Sequence, residues 1–427
     1  MASGKSLLLI CLFVCLLGIS DQTQSKYADK LLLVSMDGFR WDYLYKTYTP
    51  NFDKFAGNGI KVEYMNNSFV TKTFPNHYTI VTGVYEETHG IVENSMYDPD
   101  FDEKFNMGTK DTKWWNASEP IWCHVKRFNL KSGTYYWPGS ETEVNGLRPD
   151  KWLNYSDHTP FRKRVDDVMD WFTNDKLNFV TLYFPEPDHT GHVYGPDSPE
   201  IIEKVKEMDG ILGYLMSKLE EKKLKDKVNV IVTSDHGMFS IDVKNKVVDI
   251  YDHVNRSQVQ RIPSQGPVAQ IQPVHGQTDA VVDQLRNVSH ITVYHKRDIP
   301  DRLHYKHNRR IMPVLVMADE GWLITDNKMD LSARKNYRAT HGWDNSLMSM
   351  KPIFLASGPN FKKNTLFGPI RNVDIYPLMC ELMGIPPGPT NGSLDRVMHF
   401  LIPFQVNAAP PVHIAWFMLF LGLIVML

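Results

Sequence analysis

The sequence predicts an α/β fold in which a mainly parallel β-sheet carries helices on both faces. Short apolar runs typical of buried parallel strands recur along the chain, and helical patterns lie between some of them. Strands that alternate with helices favour a parallel sheet. In addition, acidic or imidazole side chains follow three of the apolar runs, and the chemistry of open α/β sheets collects beyond the carboxyl ends of the strands.

Five apolar runs are predicted strands: residues 31–36, 179–184, 228–233, 314–318 and 353–356. Helices are predicted at residues 166–172, 199–222 and 375–383, and the longest has apolar residues at helical spacing along one face. Residues 238–340 are less regular and are predicted to form a small inserted subdomain or lid. The main folded domain is expected to cover residues 26–400.

Both ends of the chain predict export and attachment to a membrane. Residues 1–25 have the pattern of a secretory signal peptide, because Lys5 precedes an apolar segment at residues 7–17. Residues 401–413 are a predicted linker, and the uncharged residues 414–427 are predicted to be either a GPI-anchor signal or a short membrane helix. Six N-x-S sequons agree with an extracellular chain and are candidate N-glycan sites: Asn66, Asn116, Asn154, Asn255, Asn287 and Asn391.

Composition excludes several classes of protein. The 427 residues are 42% hydrophobic and 22% charged, with a formal net charge of −2, so no basic excess favours a nucleic-acid polymer as partner. Only Cys123 and Cys380 lie outside the predicted signal peptide, which excludes a disulfide scaffold and a thiolate zinc site. Two buried free thiols are the favoured interpretation, and a single disulfide remains open. Any metal must therefore be held by Asp, His and oxygen ligands.

Residue types that bind metals lie at the ends of predicted strands or beside glycines. They are Asp37, Asp188, His192, Asp235, His236 and His341. Asp188 and His192 are four residues apart, which in a helical turn places both on one side. Asp235 and His236 are adjacent, and Gly237 permits a turn that would aim both at one ion. In isolation each pair could equally be a surface turn or a helix cap, but together with one more oxygen the six residues suffice for two four-coordinate, zinc-type sites.

Thr73, in the segment TKTFPNHYTIVTG, is the candidate nucleophile. A hydroxyl bound to Zn²⁺ is far more acidic than a free hydroxyl and can attack phosphorus at neutral pH. The alternative for Thr73 by itself is a β-branched strand residue, which is the usual role of threonine.

These residues stand in motifs that closely resemble the ectonucleotide pyrophosphatase/phosphodiesterases, a branch of the alkaline-phosphatase superfamily. The landmarks are LLLVSMDGFRWDYL, TKTFPNHYTIVTGVYEETHGIVENSMYDP, EPIW, LKSGTYYWPGS, TLYFPEPDHTGHVYGPDSP, VIVTSDHGM, ADEGW and THGWDNS. Their order and spacing match from about residue 30 to residue 392. The resemblance implies an alkaline-phosphatase-like fold and makes residues 26–400 a phosphodiesterase catalytic domain.

The resemblance also implies roles for individual residues. One of two Zn²⁺ ions is expected on Asp37, Thr73, Asp235 and His236, and the other on Asp188, His192 and His341. Thr73 would attack the phosphodiester and form a phosphothreonine intermediate that water then hydrolyses. Asn94 matches the family asparagine that donates a hydrogen bond to a non-bridging phosphate oxygen, where it stabilises developing charge.

The expected substrate is a nucleotide, since Phe74 and Tyr155 match the aromatic residues that hold a base in nucleotide-cleaving members, and Trp137 matches another pocket aromatic. Base–aromatic stacking contributes roughly 1–3 kcal/mol per base, enough to set a preference. Glu141 lies where nucleotide-preferring members often carry Asp, and the Asn154 sequon adjoins Tyr155.

Two alternatives to a nucleotide-cleaving enzyme stay open, and a third is set aside. The main alternative substrate is a choline phosphodiester such as sphingomyelin or a lysophospholipid, because an aromatic cage of Tyr136, Trp137 and Tyr155 would also bind a quaternary ammonium. A non-catalytic surface binding protein is a further alternative, because fold alone does not determine function. A sulfatase is set aside, because Thr73-Phe-Pro-Asn lacks the C/S-x-P-x-R motif.

Overall fold

An eight-stranded sheet forms the centre of the fold in the computed structural model, which describes residue 28, residues 30–327 and residues 337–403. In spatial order its strands are β19 (Thr365–Phe367), β2 (Gly59–Val62), β18 (Phe354–Ser357), β9 (Val228–Thr233), β1 (Lys30–Met36), β8 (Phe179–Phe184), β6 (Ser132–Tyr135) and β7 (Lys151–Trp152). Only β18 runs against the others, because it pairs antiparallel with both β2 and β9 while the remaining pairs are parallel. The predicted α/β fold with a mainly parallel sheet is confirmed.

Alternation along β1 explains why helices cover both faces of the sheet. Successive side chains of a strand point to opposite faces, so Leu31 and Leu33 enter one core while Leu32 and Val34 enter the other. The first core is shared with the helices Thr73–Thr82, Ile121–His124 and Ile375–Met383. The second core is shared with the helices Pro50–Gly57, Phe161–Thr173 and Pro199–Glu221.

A second, four-stranded sheet lies within the region that the sequence marks as less regular. Its order is β12 (Val259–Ser264), β13 (Val268–Pro273), β15 (Val314–Ala318) and β14 (Ile291–His295), and its pairs are antiparallel. The helix Thr278–Leu285 shares a separate core with this sheet. The prediction that residues 314–318 form a parallel strand of the main sheet was therefore wrong, since a strand buried on both faces reads as a continuous apolar run in either sheet.

Element boundaries differ modestly from those predicted. The Phe161–Thr173 helix extends beyond the predicted residues 166–172 at both ends, whereas the helix predicted at 375–383 is found at those residues. The last predicted strand, 353–356, appears as β18 but runs antiparallel. The apolar residues of a run indicate that a strand is buried, but they do not indicate whether it runs parallel or antiparallel to its neighbours.

The remaining elements are short. Two-stranded pairs join β3 (Met65–Asn66) to β20 (Ile370–Arg371), β4 (Met96–Asp98) to β5 (Glu103–Phe105), β10 (Phe239–Ser240) to β17 (Ala339–Thr340), and β11 (Val247–Asp249) to β16 (Leu323–Thr325). Short α-helices cover Tyr43–Lys46, Glu86–His89 and Asp188–Tyr194. 3₁₀ turns cover Thr112–Trp114, Val125–Phe128, Ile250–Asp252, Arg256–Gln258, Lys296–Asp298, Asp301–Leu303, Met348–Met350, Asn372–Asp374, Leu394–Arg396 and Met398–Phe400.

The predicted signal peptide at 1–25 and the predicted anchor at 414–427 lie outside the described residues, as does most of the 401–413 linker. Across the ranges that are described, no helix combines the length and apolar character that a membrane span requires. Cys123 and Cys380 are both buried free thiols, as favoured from the sequence. Of the six sequon asparagines, Asn66 is half-buried and the other five are exposed.

Candidate active site

The candidate site lies beyond the carboxyl ends of three neighbouring strands, β9, β1 and β8. Asp37 directly follows β1, Asp235 and His236 follow β9 after one serine, and Asp188 begins the short helix that follows β8. Because these strands are parallel and adjacent, their carboxyl ends meet at one edge of the sheet. The strand-end spacing seen in the sequence thus becomes a cluster in space.

Asp37, Asp235 and His236 form the first group of candidate metal ligands. Their ligand atoms all lie within 4.8 Å of one another, and all three residues are buried. His236 Nε2 lies 2.9 Å from Asp235 Oδ2 and 3.5 Å from Asp37 Oδ1. Thr73 adjoins this group, with its Oγ1 3.3 Å from His236 Nε2.

Asp188, His192 and His341 form the second group. The short helix places His192 Nε2 3.4 Å from Asp188 Oδ2, and His341 Nε2 lies 3.7 Å from Asp188 Oδ1. His341 arrives from a distant part of the chain, because β17, which it follows, pairs with β10 just beyond His236. The two groups are neighbours, since the His236 and His341 rings stack with centroids 3.4 Å apart.

Each of the three histidines is oriented by a backbone carbonyl. The Nδ1 atoms of His192, His236 and His341 lie 2.9, 2.9 and 2.8 Å from the carbonyl oxygens of Ala339, Gly237 and Thr71. A carbonyl can only accept, so each Nδ1 carries the proton and donates it. This leaves the Nε2 lone pair directed at the carboxylates, which is the usual arrangement of a metal-binding histidine and its outer hydrogen bond.

The carboxylates have the unsatisfied oxygens that a cation would bind. Asp37 Oδ1, Asp188 Oδ1 and Asp235 Oδ2 are buried and find no hydrogen-bond partner among the described residues. Burial, together with the nearby Asp235 and Asp188 carboxylates, raises the pKa of Asp37 well above its usual value. Burial also lowers the pKa of His341 well below its usual value, helped by the nearby His236, which favours the neutral form that binds metal. Buried carboxylate oxygens without a hydrogen-bond donor, beside imidazole Nε2 atoms, are the ligand atoms of a divalent metal site.

Two glycines permit the close approach of the ligand-bearing segments. Gly38 has φ of +67°, and a Cβ atom there would lie 2.7 Å from the Cβ of Asp188. A Cβ on Gly237 would lie only 2.0 Å from the Ser349 carbonyl oxygen. The backbone at Gly237 has no positive φ, so close approach rather than the predicted sharp turn explains this glycine.

Thr73 begins the Thr73–Thr82 helix and is not a strand residue. The helix sits against the site through His77, whose Nδ1 lies 2.8 Å from the Thr73 carbonyl oxygen and 3.4 Å from Asp235 Oδ2. Asn94 lies beside the start of the helix, and its Oδ1 accepts a 2.9 Å hydrogen bond from the Phe74 N–H. Since Oδ1 is occupied in this way, the amide N–H groups of Asn94 remain as its donors for a ligand.

A cavity of about 630 Å³ opens over both groups. All four residues predicted for the substrate pocket line it: Phe74, Trp137, Glu141 and Tyr155. Tyr155 is 41% exposed, whereas Trp137 is buried, with its indole N–H donating to the His77 carbonyl at 3.0 Å. The Glu141 carboxylate accepts the Tyr155 N–H at 2.9 Å and forms an ion pair with Lys110, so its contacts in this structure are with the pocket wall itself.

Sequence reasoning missed Tyr183 as part of the site. Its hydroxyl donates a 2.6 Å hydrogen bond to Asp37 Oδ2 and thereby orients this carboxylate. The available signal was a single phenol in the otherwise apolar end of the 179–184 run. The neighbouring His189 is exposed and lines the cavity without belonging to either ligand group.

Comparisons with known proteins identify the family of this chain. The family model described as type I phosphodiesterase / nucleotide pyrophosphatase matches residues 31–344. A bis(5'-adenosyl)-triphosphatase of Xenopus laevis is 43% identical over 392 residues, covering 91% of this chain and 84% of the relative. Human ectonucleotide pyrophosphatase/phosphodiesterase family member 5 is 41% identical over 387 residues, covering 90% and 79% respectively.

A solved structure of murine ectonucleotide pyrophosphatase/phosphodiesterase 5 is similar in fold. It is an inactive variant carrying a threonine-to-alanine substitution, in complex with AMP. It aligns with a TM-score of 0.83 and 42% identity, covering 87% of this chain and 100% of that chain. This chain therefore belongs to the type I phosphodiesterase / nucleotide pyrophosphatase family, within the ectonucleotide pyrophosphatase/phosphodiesterases, and is a phosphoric diester hydrolase with an alkaline-phosphatase-like fold.

Proposed function

We propose that this hydrolase acts outside the cell on nucleotide phosphodiester and pyrophosphate bonds, with two Zn²⁺ ions and a phosphothreonine intermediate on Thr73. The observation that carries the proposal is the position of Thr73. Its hydroxyl stands at the start of a helix, beside a buried set of aspartates and histidines, and at the floor of an aromatic cavity. A nucleophile, charge-stabilising groups and a binding cavity for the substrate are thus available at one place.

The residues fit two zinc ions in the type of their ligand atoms. Asp37, Thr73, Asp235 and His236 would hold one, and Asp188, His192 and His341 would hold the other, since the unpartnered carboxylate oxygens and the Nε2 lone pairs converge there. Zinc in such a pair lowers the pKa of a bound hydroxyl and stabilises charge on the attacking and leaving oxygens.

Chain residues perform the remaining steps. Thr73 Oγ1 gives up its proton to solvent and forms a bond to phosphorus as the bond from phosphorus to the leaving oxygen breaks, and the leaving group departs as an anion or takes up a proton from water. Water then attacks the phosphothreonine, which releases a nucleoside monophosphate and restores the threonine hydroxyl. Asn94, held by the Phe74 N–H, would donate to a non-bridging oxygen throughout.

A nucleotide substrate is supported by the cavity wall and by the relatives. Phe74 and the exposed ring of Tyr155 line the cavity, so a base could stack on either ring. The Xenopus laevis relative is a bis(5'-adenosyl)-triphosphatase, and the murine relative was solved in complex with AMP. Candidate substrates are therefore nucleoside 5'-phosphodiesters and dinucleoside polyphosphates.

Extracellular action is supported by the predicted signal peptide at 1–25 and by the exposed sequons. We propose N-glycans at some of the exposed asparagines and a GPI or short-helix anchor from residues 414–427. Protein produced by a secreting cell line should lose mass on treatment with an N-glycosidase. Release of the cell-surface protein by phosphatidylinositol-specific phospholipase C would identify the GPI form, and resistance to it would favour the helix.

The central experiment compares wild type, Thr73→Ala and Thr88→Ala, the last being an exposed threonine used as the matched control. With the p-nitrophenyl ester of thymidine 5'-monophosphate, Thr73→Ala is expected to lose at least roughly 10³-fold in kcat. Acid quenching should trap, in the wild type only, a peptide in which the phosphothreonine at Thr73 still carries the thymidine as its ester, and mass spectrometry would detect it. Full activity in Thr73→Ala would rule out the proposed nucleophile, and a metal content other than about two zinc per chain would rule out the proposed cofactor.

A substrate panel tests the nucleotide preference separately. The wild type is assayed side by side on ATP, diadenosine triphosphate, sphingomyelin and lysophosphatidylcholine. Turnover of the two nucleotides is expected. Turnover confined to the choline lipids would overturn the substrate assignment and leave the role of Thr73 intact, whereas no turnover on any substrate by zinc-loaded protein would favour a binding protein.

A further inference from the structure

Arg164 is a fully buried cation behind the cavity wall. It lies in the Phe161–Thr173 helix with 0% of its surface exposed. In the part of the chain that the structure describes, no carboxylate forms an ion pair with its guanidinium. A buried charge without a counter-ion is costly unless its donors are fully used, so the surroundings of Arg164 must compensate for its desolvation.

Backbone carbonyls and an aromatic face provide that compensation. Nε donates to the Thr159 carbonyl at 3.2 Å, Nη1 to the Tyr183 carbonyl at 2.9 Å, and Nη2 to the Ser156 carbonyl at 3.3 Å. The guanidinium carbon also lies 4.9 Å from the centre of the Tyr136 ring. One side chain thus connects a strand end, the segment around Tyr155 and an aromatic residue of the cavity.

The connected segments differ in how much other support they have. Tyr183 is already fixed by the parallel pairing of β8 with β1. Ser156 and Thr159 lie in an irregular segment with no strand pairing, and this segment carries Tyr155. Besides Arg164, the segment is held by side-chain contacts: the Tyr155 N–H donates to Glu141 at 2.9 Å, and the Thr159 and Tyr136 hydroxyls are hydrogen-bonded at 2.8 Å. Loss of the guanidinium would therefore loosen the Tyr155 segment more than the strand-paired backbone near the candidate metal ligands.

We propose that Arg164 is a positioning residue that sets the nucleoside specificity of the enzyme. Through the Ser156 and Thr159 carbonyls it holds the Tyr155 ring at the cavity, and through its stacking it holds Tyr136 beside that ring, where the two centroids are 5.4 Å apart. A fixed ring loses no conformational freedom when a base stacks on it, so the stacking energy is retained as affinity. This inference rests on the proposed nucleotide phosphodiesterase function.

The test compares two substrates with the same leaving group. One is the p-nitrophenyl ester of thymidine 5'-monophosphate, and the other is methyl p-nitrophenyl phosphate, which has no base. Arg164→Met is expected to lower kcat/KM for the nucleotide ester by roughly 5- to 150-fold, mainly through KM, and to change kcat/KM for the methyl ester by less than about twofold. The inhibition constant of AMP against the methyl ester should rise by a similar factor.

Matched variants distinguish a role of Arg164 in positioning Tyr155 from a non-specific loss of structure. Arg162→Met removes an exposed arginine from the same helix and is expected to behave as wild type. Arg164→Lys keeps the charge but cannot reach three carbonyls, so its loss of discrimination should be intermediate. In a Tyr155→Ala background, Arg164→Met should have little further effect on the nucleotide ester, because the two changes disable the same contact.

Several results would overturn the proposal. They are an equal loss on both substrates, unchanged discrimination in Arg164→Met or in Arg164→Lys, and failure of both Arg164 variants to fold as judged by circular dichroism. The last result would assign Arg164 to the stability of the whole fold. A wild-type enzyme that does not prefer the nucleotide ester contradicts the proposed function instead, and it is recognised before any variant is compared.

Discussion

The site histidines illustrate how single hydrogen bonds prepare residues for metal binding. Each donates Nδ1–H to a backbone carbonyl, so the tautomer is set by the chain and the Nε2 atoms need no rearrangement to bind a cation. Asp37 is prepared in the same way by a side chain, since the Tyr183 hydroxyl occupies its Oδ2 and leaves Oδ1 without a hydrogen bond. Outer hydrogen bonds of this kind affect metal affinity without touching the metal.

Tyr183→Phe is accordingly expected to weaken zinc binding roughly 10- to 100-fold, because Asp37 loses the donor that orients it. Competition with a chelator of known affinity measures the change. Tyr214→Phe is the matched control, since its hydroxyl also donates to a carboxylate, Asp166, at 2.8 Å but on the long helix away from the site. Equal zinc affinity in Tyr183→Phe and wild type would show that the hydrogen bond has no influence on the metal.

Asn94→Asp tests the proposed role of the amide. The substitution preserves an oxygen to accept the Phe74 N–H but removes the donor that would face a phosphate oxygen. We expect kcat to fall roughly 10²- to 10³-fold, the usual effect of losing one such donor. Asn145→Asp, on an exposed turn, is the control for adding a carboxylate at the surface. Wild-type kcat in Asn94→Asp would contradict the assignment.

At the scale of elements, the helix that begins at Thr73 is held by a buried polar network. The Asn76 amide donates to the carbonyls of Val70 and Lys72, and its Oδ1 accepts from the Ser68 N–H. Ser68 in turn donates its hydroxyl to the buried carboxyl of Glu86. The segment that leads into Thr73 is therefore fixed by side chains where regular secondary structure is missing.

Wild type is expected to lose stability as pH rises because Glu86 is buried, and Glu86→Gln is expected not to show this loss. Burial raises the pKa of Glu86 from an ordinary 4.5 to about 8. Between these values the folded state holds a proton that the unfolded state has released, so the free energy of unfolding falls as pH rises from about 4.5 to about 8. The glutamine variant lacks this titration, and its stability relative to wild type should increase across that range by on the order of a few kcal/mol.

Urea unfolding at pH 5, 6.5 and 8 measures that difference, with the exposed Glu203→Gln as the control for loss of a surface carboxylate. A constant difference between wild type and Glu86→Gln at the three pH values would show that Glu86 ionises in the folded protein as it does in the unfolded chain.

At the scale of the whole molecule, ion pairs join the chain beside the four-stranded antiparallel sheet to the main domain. Asp98, which is fully buried, accepts hydrogen bonds from Arg309 Nε at 2.9 Å and Arg310 Nε at 2.7 Å. Arg310 also donates to the carbonyls of Gly90 and Trp114 at 2.7 and 2.9 Å. These bonds join residues just before β15 to the segment that carries Asn94, so the second sheet supports one wall of the site.

Metal removal is expected to destabilise the entire fold. Without a cation, the carboxylates of Asp37, Asp188 and Asp235 are buried close together, and this burial, added to by their mutual repulsion, raises the pKa of Asp37. A ligand that binds only the folded state stabilises it by about 4 kcal/mol at a concentration 1,000-fold above its Kd. Dialysis against a chelator should therefore lower Tm by several degrees, and added zinc should restore it. An unchanged Tm after verified metal removal would contradict a metal site that contributes to stability.

Much of the fold could be predicted because the responsible signals are local. Buried strands and amphipathic helices leave apolar patterns, and β1, β8 and β9 were each located within one residue of their observed ends. The candidate ligands were found because strand ends in a parallel sheet collect side chains at one edge. The direction of β18 and the sheet to which β15 belongs could not be predicted, because burial on both faces produces the same apolar run in either arrangement.

The sequence by itself determined the family, the α/β fold and the residue types from which a metal site could be built, since these depend on local pattern and on motif order. Only the tertiary structure decided which of those residues meet. His341 reaches Asp188 through the pairing of β10 with β17, Tyr183 reaches Asp37 across neighbouring strands, and Arg164 reaches both the Ser156 carbonyl and the Tyr183 carbonyl at the end of β8. The physical reason is that a hydrogen bond or an ion pair depends on distance in space, which the path of the whole chain determines.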